Sequence, residues 1–352
     1  MPSTKSPVRW LRRMAGRRVG VVGDFMLDGY VWGNATRLSP EAAVPVVDFV
    51  AESECPGGAG NVAANLAALG ARVAGFGVSG ADPEAARLRY VLEAKGVATR
   101  GILPDAGRRT TLKTRIIARH QQVVRVDRET RIPLGSALEE KLVAKIAGAL
   151  KAPRGGRGLD ALVISDYDKG TVTEELARRV LALCGKLRVP AFVKPKWSIL
   201  ATYPGASGIV LNSAEAGFLV TRTVEDDESA AYAGAQLLEK FKSGAVVLTR
   251  GARGMIVFEP GAPRGFKIPA LSQETPFGAR FAGRTATQQG LQVFDVTGAG
   301  DTVLATLTLA VAAGASMREA AVVGNAAAGI VVSKLGTATV SAQELQAVLR
   351  SL

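Results

Sequence analysis

The chain has 352 residues, 47% of them hydrophobic, which is enough for a sizeable core in one large or two modest domains. Two cysteines and one histidine exclude a disulfide scaffold and a zinc site built on thiolates or imidazoles. Lys+Arg 44 against Asp+Glu 31 leaves a net charge of +13, but the excess is spread along the chain and aromatics are only 5%, poor material for stacking bases. Small anionic substrates therefore fit the charge better than nucleic acid. No apolar run reaches the roughly 18 residues of a spanning helix, so no membrane partner is expected. The basic start, Met1 to Arg18, lacks the apolar core of a secretory signal. The expectation is a soluble cytoplasmic protein.

Apolar strand-like runs alternate with helical patterns, which predicts an α/β fold. Arg18–Gly23 reads as a buried first strand ending at Asp24. Val44–Ala51 is extended and alternating, off the βα rhythm. Asn61–Leu69 reads as a helix, with Val62, Leu66 and Leu69 on one face and Gly70 as its stop. Val73–Val78 is the next strand. Asp82-Pro83 caps a helix running to about Lys95. Thr110–Asp127 is again extended, with a hairpin turn near Arg119-His120. These irregular strands predict a small separate sheet, a lid or a dimer surface. Leu162–Ser165, Ala191–Val193, Ile209–Leu211 and Ala245–Thr249 are further strands with helices between them. Residues 271–290 read as a long surface loop rich in Gly, Thr and Gln. From Gly298 to about Lys334 the chain is Ala-rich helix, broken near Gly314.

The strongest chemical signal is Asp295-Val-Thr-Gly-Ala-Gly-Asp301, directly before that helix. Gly298, Ala299 and Gly300 carry little or no side chain, so their N–H groups can approach an anion where the helix directs its positive end. That is a place for charge developing on a transferring phosphoryl group. Asp301, at the helix start, can accept the proton of an attacking hydroxyl. The ordinary reading of the same residues is a glycine turn with an Asp cap.

The second signal is Pro56-Gly-Gly-Ala-Gly-Asn61. Its match to a dinucleotide fingerprint fails because Pro56 cannot sit in the central strand that fingerprint needs. Glycine backbone and the Asn61 amide suit a polyol instead, with Asp24 and Asp28 as acceptors for sugar hydroxyls. The ordinary alternative for each acid is a solvated loop carboxylate. Third, Asn212 and Glu215 lie on one helical face, able to orient phosphate-bound Mg²⁺ through water or to form a capping box. Thr249-Arg-Gly251-Ala-Arg-Gly254 reads alone as a hairpin turn. In the irregular region, alternation puts Lys113, Arg115 and Arg119 on one face of a continuous strand, a cationic surface for phosphate or a charged edge. Arg125 lies in the same region. Cys55 and Cys184 read as small packing residues.

Together these residues resemble the ribokinase/PfkB family of sugar kinases. Gly57-Gly58, Asn212/Glu215 and the 295–301 string occur in that family's order, and the resemblance runs from about Arg18 to Leu345. Within the family, Gly23–Val47, Arg115–Asp127, Ser165–Gly170 and Asn325–Ser341 are similar to the branch acting on D-glycero-D-manno-heptose 7-phosphate. The resemblance implies a single ribokinase-like three-layer α/β/α domain over 1–352, with lid strands within about 28–56 and 108–128. It implies ATP-dependent phosphorylation of the anomeric 1-hydroxyl to a 1,7-bisphosphate, a precursor of the lipopolysaccharide core. Asp301 would be the base and Gly298–Gly300 the anion hole. Asp24, Asp28, Gly58 and Asn61, with Gly57, would hold the sugar. Arg115, Arg119, Asp166 and Lys169 would lie near its phosphate or close the site. Asn212, Glu215, Thr249, Gly251, Gly254 and Asn325 would serve Mg-ATP, Glu215 through water to the metal. A monovalent cation such as K⁺ would sit near Asp295, Thr297 and Gly336. The lid strands would form a homodimer.

Some residues depart from the branch. Lys194 stands where it usually has an Asp, near the phosphate and metal region, and Leu211 where it usually has a Pro. The 271–290 loop is longer than expected. With nothing after Leu352, the chain is expected to be the kinase alone or a fragment. The alternatives are another PfkB-type sugar or nucleoside kinase, or a catalytically silent sugar-phosphate sensor in which Lys194 has disabled transfer.

Overall fold

The computed structural model describes residues 7–119, 121–151, 158–196, 203–262, 264–271, 297–334 and 337–350. The chain opens with α1 (Val8–Met14), β1 (Arg18–Gly23), β2 (Phe25–Leu38) and β3 (Pro45–Gly58). There follow α2 (Ala59–Ala68), β4 (Arg72–Ser79), α3 (Pro83–Ala94), β5 (Val97–Pro104), β6 (Thr111–Ala118) and β7 (Gln121–Arg128). Next come α4 (Ser136–Leu150), β8 (Ala161–Ser165), α5 (Glu174–Leu187), β9 (Ala191–Lys194), β10 (Gly208–Asn212), α6 (Ser213–Leu219) and α7 (Asp227–Phe241). Strands β11 (Val246–Thr249), β12 (Met255–Phe258) and β13 (Phe266–Ile268) precede α8 (Ala299–Ala312), α9 (Met317–Val331) and α10 (Ala342–Leu349).

The main sheet runs β13-β12-β11-β10-β9-β8-β1-β4-β5, parallel from β11 to β5 with an antiparallel β12–β13 edge. Its parallel strands are buried on both faces, which is why they read as continuous apolar runs. Alternation then sorts side chains between two cores. Val21, Val163, Val210 and Val247 pack under α1, α2, α8, α9 and α10. Val22, Ile164, Leu211 and Leu248 pack under α4, α5 and α7. The result is the expected three-layer α/β/α arrangement.

The expected separate sheet is present, in the order β3-β2-β6-β7. One residue, Asp24, separates β1 from β2, so the chain passes straight from one sheet to the other. Strand β2 spans 14 residues and pairs antiparallel with β3 and parallel with β6. Its Gly29 and Gly33 are poor strand formers, and pairing on both sides overrides them; Asn34 is paired with β3. Strand β3 extends past Ala51 to Gly58 and feeds α2 without a loop. Strands β6 and β7 pair antiparallel as the expected hairpin, with Arg119 at φ 49° just past the end of β6. That corrects one expectation: Arg119 follows the end of β6 in a turn, is exposed, and does not continue the face of Lys113 and Arg115. His120 and most of the 271–290 segment lie outside the described residues.

The chain spreads from β1 in both directions, to β4 on one side and β8 on the other. Open α/β sheets bind ligands at such a reversal, beyond the strand C-termini. Here Gly23, Ser165, Lys194, Asn212 and Thr249 all end parallel strands at one edge.

Gly23 marks the crossing between sheets, where an added Cβ would sit 2.0 Å from the Ser165 carbonyl oxygen. Gly23→Ala is expected to destabilise the fold by about 1–3 kcal/mol through backbone displacement, read as a lower urea midpoint.

Candidate active site

Asp301 stands in the first turn of α8 and is 3% exposed. Helix α8 is apolar nearly all round and threads the core against α2 and α9, so its N-terminus is held rigidly at the sheet edge. Gly298, at φ 82°, forms its N-cap, and a Cβ there would stand 2.7 Å from Asn61 Nδ2. Glycine at 298 thus meets both a left-handed backbone and a close approach.

Three donors converge on the Asp301 carboxylate. Asn61 Nδ2 donates to Oδ2 at 2.9 Å. The Tyr167 hydroxyl at 2.6 Å and Lys194 Nζ at 2.7 Å both donate to Oδ1. Asn61 is in turn fixed by Asn65, whose Nδ2 donates to its backbone and side-chain oxygens. Burial and the Asp301 charge push the Tyr167 phenol up, so it stays a donor. Burial opposes the Lys194 ammonium, but Asp301 outweighs it and raises the pKa above the usual lysine value.

A cavity of about 750 Å³ opens beside this carboxylate. Asn212, Glu215, Thr249, Gly251, Gly254, Asn325, Lys194 and the Gly298–Gly300 turn line it, with Val210, Met255, Ala328 and Val332 as apolar wall. Both readings of Asn212 and Glu215 meet here: they form a full capping box on α6 and also face the cavity. Glu215 Oε1 lies 3.8 Å from Lys196 Nζ. Thr249 Oγ1 donates to Leu211 O, tying β11 to β10, and Asn325 Nδ2 donates to Pro269 O. Among the described residues no group of three His, Cys, Asp or Glu is placed to hold a metal. A phosphate-borne Mg²⁺, which uses few protein carboxylates, would meet Glu215. Of the residues expected around a monovalent cation, Thr297 is described, while Asp295 and Gly336 lie outside the described residues.

The residues expected to hold the sugar divide. Asp28 is 4% exposed and its Oδ1 accepts from Arg115 at 2.7 Å. A Cβ on Gly57 would fall 2.5 Å from Asp28 Oδ2, so the glycine makes room for the acid. The β2–β3 pairing sets Gly57 and Gly58 against Met26 and Phe25, which brings the two sequence motifs together.

Asp24 and Asp166 behave differently from expectation. Asp24 accepts from the backbone N–H groups of Tyr167, Lys169 and Thr171, using both oxygens. Asp166 is 1% exposed and accepts from Asp168 N, Lys196 N and the Tyr203 hydroxyl. These buried acids shape the 166–171 turn and the Lys196 segment. Lys169 Nζ pairs with Glu129 Oε2 at 2.8 Å, and Lys113 pairs with Asp127 and Glu129. Burial opposes the Glu129 charge, but Lys169, Arg131 and Lys113 hold its carboxyl down at about 2.

Sequence reasoning did not single out Tyr167 or Glu129, and did not place Lys194 on Asp301. Tyr167 sits two residues past the C-terminal end of β8, where parallel strands deliver ligand-facing side chains. Cys55 is more than packing: its Sγ meets Thr337 Oγ1, joining β3 to the segment after α9. Cys184 does lie in the core, where burial pushes its thiol up to about 12.

Residues 17–344 match the pfkB family carbohydrate kinases. The chain belongs to that family. As a family member it is a kinase that transfers phosphate to a hydroxyl. It is 40% identical over 338 residues to the bifunctional protein HldE of Citrifermentans bemidjiense, covering 96% of this chain and 64% of the relative. The HldE of Geobacter sulfurreducens is 41% identical over 325 residues, 92% of this chain and 61% of its own length. The chain thus spans about three-fifths of the length of these curated relatives.

Among solved structures, Arabidopsis thaliana ribokinase complexed with ribose and ATP matches with a TM-score of 0.70 at 18% identity, over 95% of this chain and 99% of that one. Escherichia coli phosphofructokinase-2 in complex with potassium matches at 0.73 and 17%, over 95% and 98%. At these identities the likeness establishes a ribokinase-like fold.

Burial and the Asp24 charge raise the Asp166 carboxyl to about 6. A folded pKa above the unfolded value favours the fold at low pH, and this contribution is lost as pH rises from about 4 through 6. Relative to Asp166→Asn, the wild type should lose about 2–3 kcal/mol across that window. Melting curves of both proteins at pH 4 and pH 7 check this, and a constant offset would refute it.

Proposed function

We propose that this kinase uses ATP to phosphorylate the anomeric 1-hydroxyl of D-glycero-D-manno-heptose 7-phosphate, giving the 1,7-bisphosphate for ADP-heptose synthesis in the cytoplasm. The observation that carries the catalytic part is the meeting of Asp301, the N-terminus of α8 and the 750 Å³ cavity at one edge of the sheet. The substrate rests on the branch resemblance, together with 40% identity to HldE over nearly the whole of this chain.

In this reading ATP lies in the cavity, its base against Met255 and Val332 and its terminal phosphoryl over Gly298–Gly300. Mg²⁺, carried by the phosphates and met by Glu215, supplies charge neutralisation. Asp28, Gly57, Gly58 and Asn61 hold the sugar. Arg115 and Lys169 take its 7-phosphate. The sugar oxygen forms the new bond to phosphorus while its proton passes to Asp301. The bond from phosphorus to the ADP oxygen breaks, and its electron pair leaves with ADP. In a loose transition state the proton moves late, so a carboxylate is a sufficient base. A monovalent cation beside Thr297 belongs to the same reading. So does a homodimer: Phe49 and Val50 on β3 are 65% and 60% exposed, and Val123, Val124 and Val126 expose a further apolar stretch on β7.

One observation favours a second reading, the silent sugar-phosphate sensor. Lys194 occupies the Oδ1 atom of the proposed base. ADP release with Mg-ATP, measured over sugars offered with and without a terminal phosphate, separates the readings. The expected result is turnover on heptose 7-phosphate, reduced roughly 10²–10⁴-fold by Asp301→Asn. Turnover on an unphosphorylated sugar alone would replace the substrate. Saturable sugar-phosphate binding with no ADP from any sugar would establish the sensor.

A further inference from the structure

We propose that Lys194 is a catalytic residue that exchanges partners during the reaction, leaving Asp301 for the terminal phosphoryl group of ATP. The inference rests on the kinase reading above and deepens it.

Lys194 ends β9 at the sheet edge, with its side chain only 16% exposed. Its Nζ lies 2.7 Å from Asp301 Oδ1 and 3.4 Å from the Tyr167 hydroxyl. A Cβ built on Gly300 would stand 3.3 Å from that Nζ, so the ammonium rests over the first turn of α8. Two positive features, the ammonium and the helix N-terminus, therefore share one spot on the cavity wall. The ammonium's closest acid is Asp301, with Glu215 a more distant attraction. Asp301 must face the sugar hydroxyl to accept its proton, and Oδ1 already carries both Lys194 and Tyr167.

A polyphosphate entering the cavity resolves this conflict. Its terminal oxygens offer the ammonium a stronger anionic partner at the mouth of the same helix. The lysine has a flexible four-carbon stem and moves between the two as a point charge. The exchange keeps the ammonium paired throughout, while Asp301 retains the hydrogen bonds of Tyr167 and Asn61. It also frees the Lys194 side of Oδ1, with the Tyr167 hydroxyl still in place, only once nucleotide is present. On the phosphoryl group the ammonium then neutralises charge where the transition state places it. The bonds made and broken are those of the transfer described above, and Lys194 gains or loses no proton.

The test uses the full chain and two variants, Lys194→Met and Lys194→Arg, with binding of ATP and of AMP followed by calorimetry in EDTA. Removing metal leaves the protein's own phosphate contacts as the source of preference for ATP. Wild type is expected to favour ATP over AMP. Lys194→Met should weaken ATP binding at least tenfold while AMP binding changes less than twofold. Lys194→Arg should retain the preference. Turnover with Mg-ATP should fall at least 10²-fold in Lys194→Met with the sugar KM little changed.

An unaltered ATP-to-AMP ratio in Lys194→Met, or turnover within threefold of wild type, would overturn the role of Lys194 and leave the kinase reading standing. Faster turnover in Lys194→Met would make the lysine a brake on Asp301, also against the proposal. A wild type that binds no ATP and releases no ADP from any sugar would overturn the kinase reading itself. Because removing one partner of a buried ion pair can unfold a protein, Lys194→Arg keeps the test decisive: loss of its ATP preference with an intact melting transition counts against the proposal.

Discussion

The site is organised around one buried carboxylate. Asp301 is placed by an apolar helix that cannot shift without disturbing the core, and it is surrounded by Asn61, Tyr167 and Lys194 from three other parts of the chain. A carboxylate in such a place is costly unless its charge is met. The donors meet it, and in doing so they join α2, the turn after β8, and the end of β9 to the start of α8. The geometry of the Gly298–Gly300 turn follows from the same packing, because Gly298 must let Asn61 within 2.7 Å of the position a side chain would take.

The second sheet depends on the same constraint at one remove. β1 delivers Asp24 to the strand edge, and the chain must then leave the main sheet to make room for the site. It returns through β3 at Gly57 and Gly58, directly into the helix that carries Asn61. Antiparallel pairing of β2 with β3 therefore fixes the distance between Asp28, which sits beside Gly57, and Asn61, which touches Asp301. Parallel pairing of β2 with β6 brings Arg115 into line with Tyr30, one turn of the pleat from Asp28.

Much of this was legible in the sequence because it rests on local signals. Apolar runs marked the buried strands, Asp82-Pro83 marked a capped helix, and the Asn212–Glu215 spacing marked a capping box that is present in full. Gly298–Asp301 announced the helix start. What was not legible depends on tertiary pairing. Phe25–Leu38 contains glycines and an asparagine that disguise a strand held by two neighbours. Asp24 and Asp166 look like ligand-facing acids in a strand-end position, and only the fold shows backbone N–H groups closing on them. Tyr167 lies 134 residues from Asp301, and Lys194 lies 107, so no spacing rule connects them to it. Arg119 was placed by alternation carried one step beyond the strand, where the backbone turns at φ 49°.

The same pattern of charge recurs across the site and bears on the excess of basic residues. Lys194 is met by Asp301, Arg115 by Asp28, and Lys169 and Lys113 by Glu129. Each pair joins a cation suited to phosphate with an acid, and in two of them the acid is one suited to a hydroxyl. Without substrate, the pairs keep buried charge tolerable on both sides. On the proposed reading, both substrates carry phosphate and at least one carries hydroxyls. Their arrival offers each cation a new anion and leaves Asp28 and Asp301 to the sugar. Binding of phosphate and exposure of the carboxylates then become one event. A ligand with hydroxyls but no phosphate would have to separate ion pairs without replacing the anion. Preference for phosphorylated ligands would thus follow from the pairing of the acids with the cations, and not from the net charge of the chain.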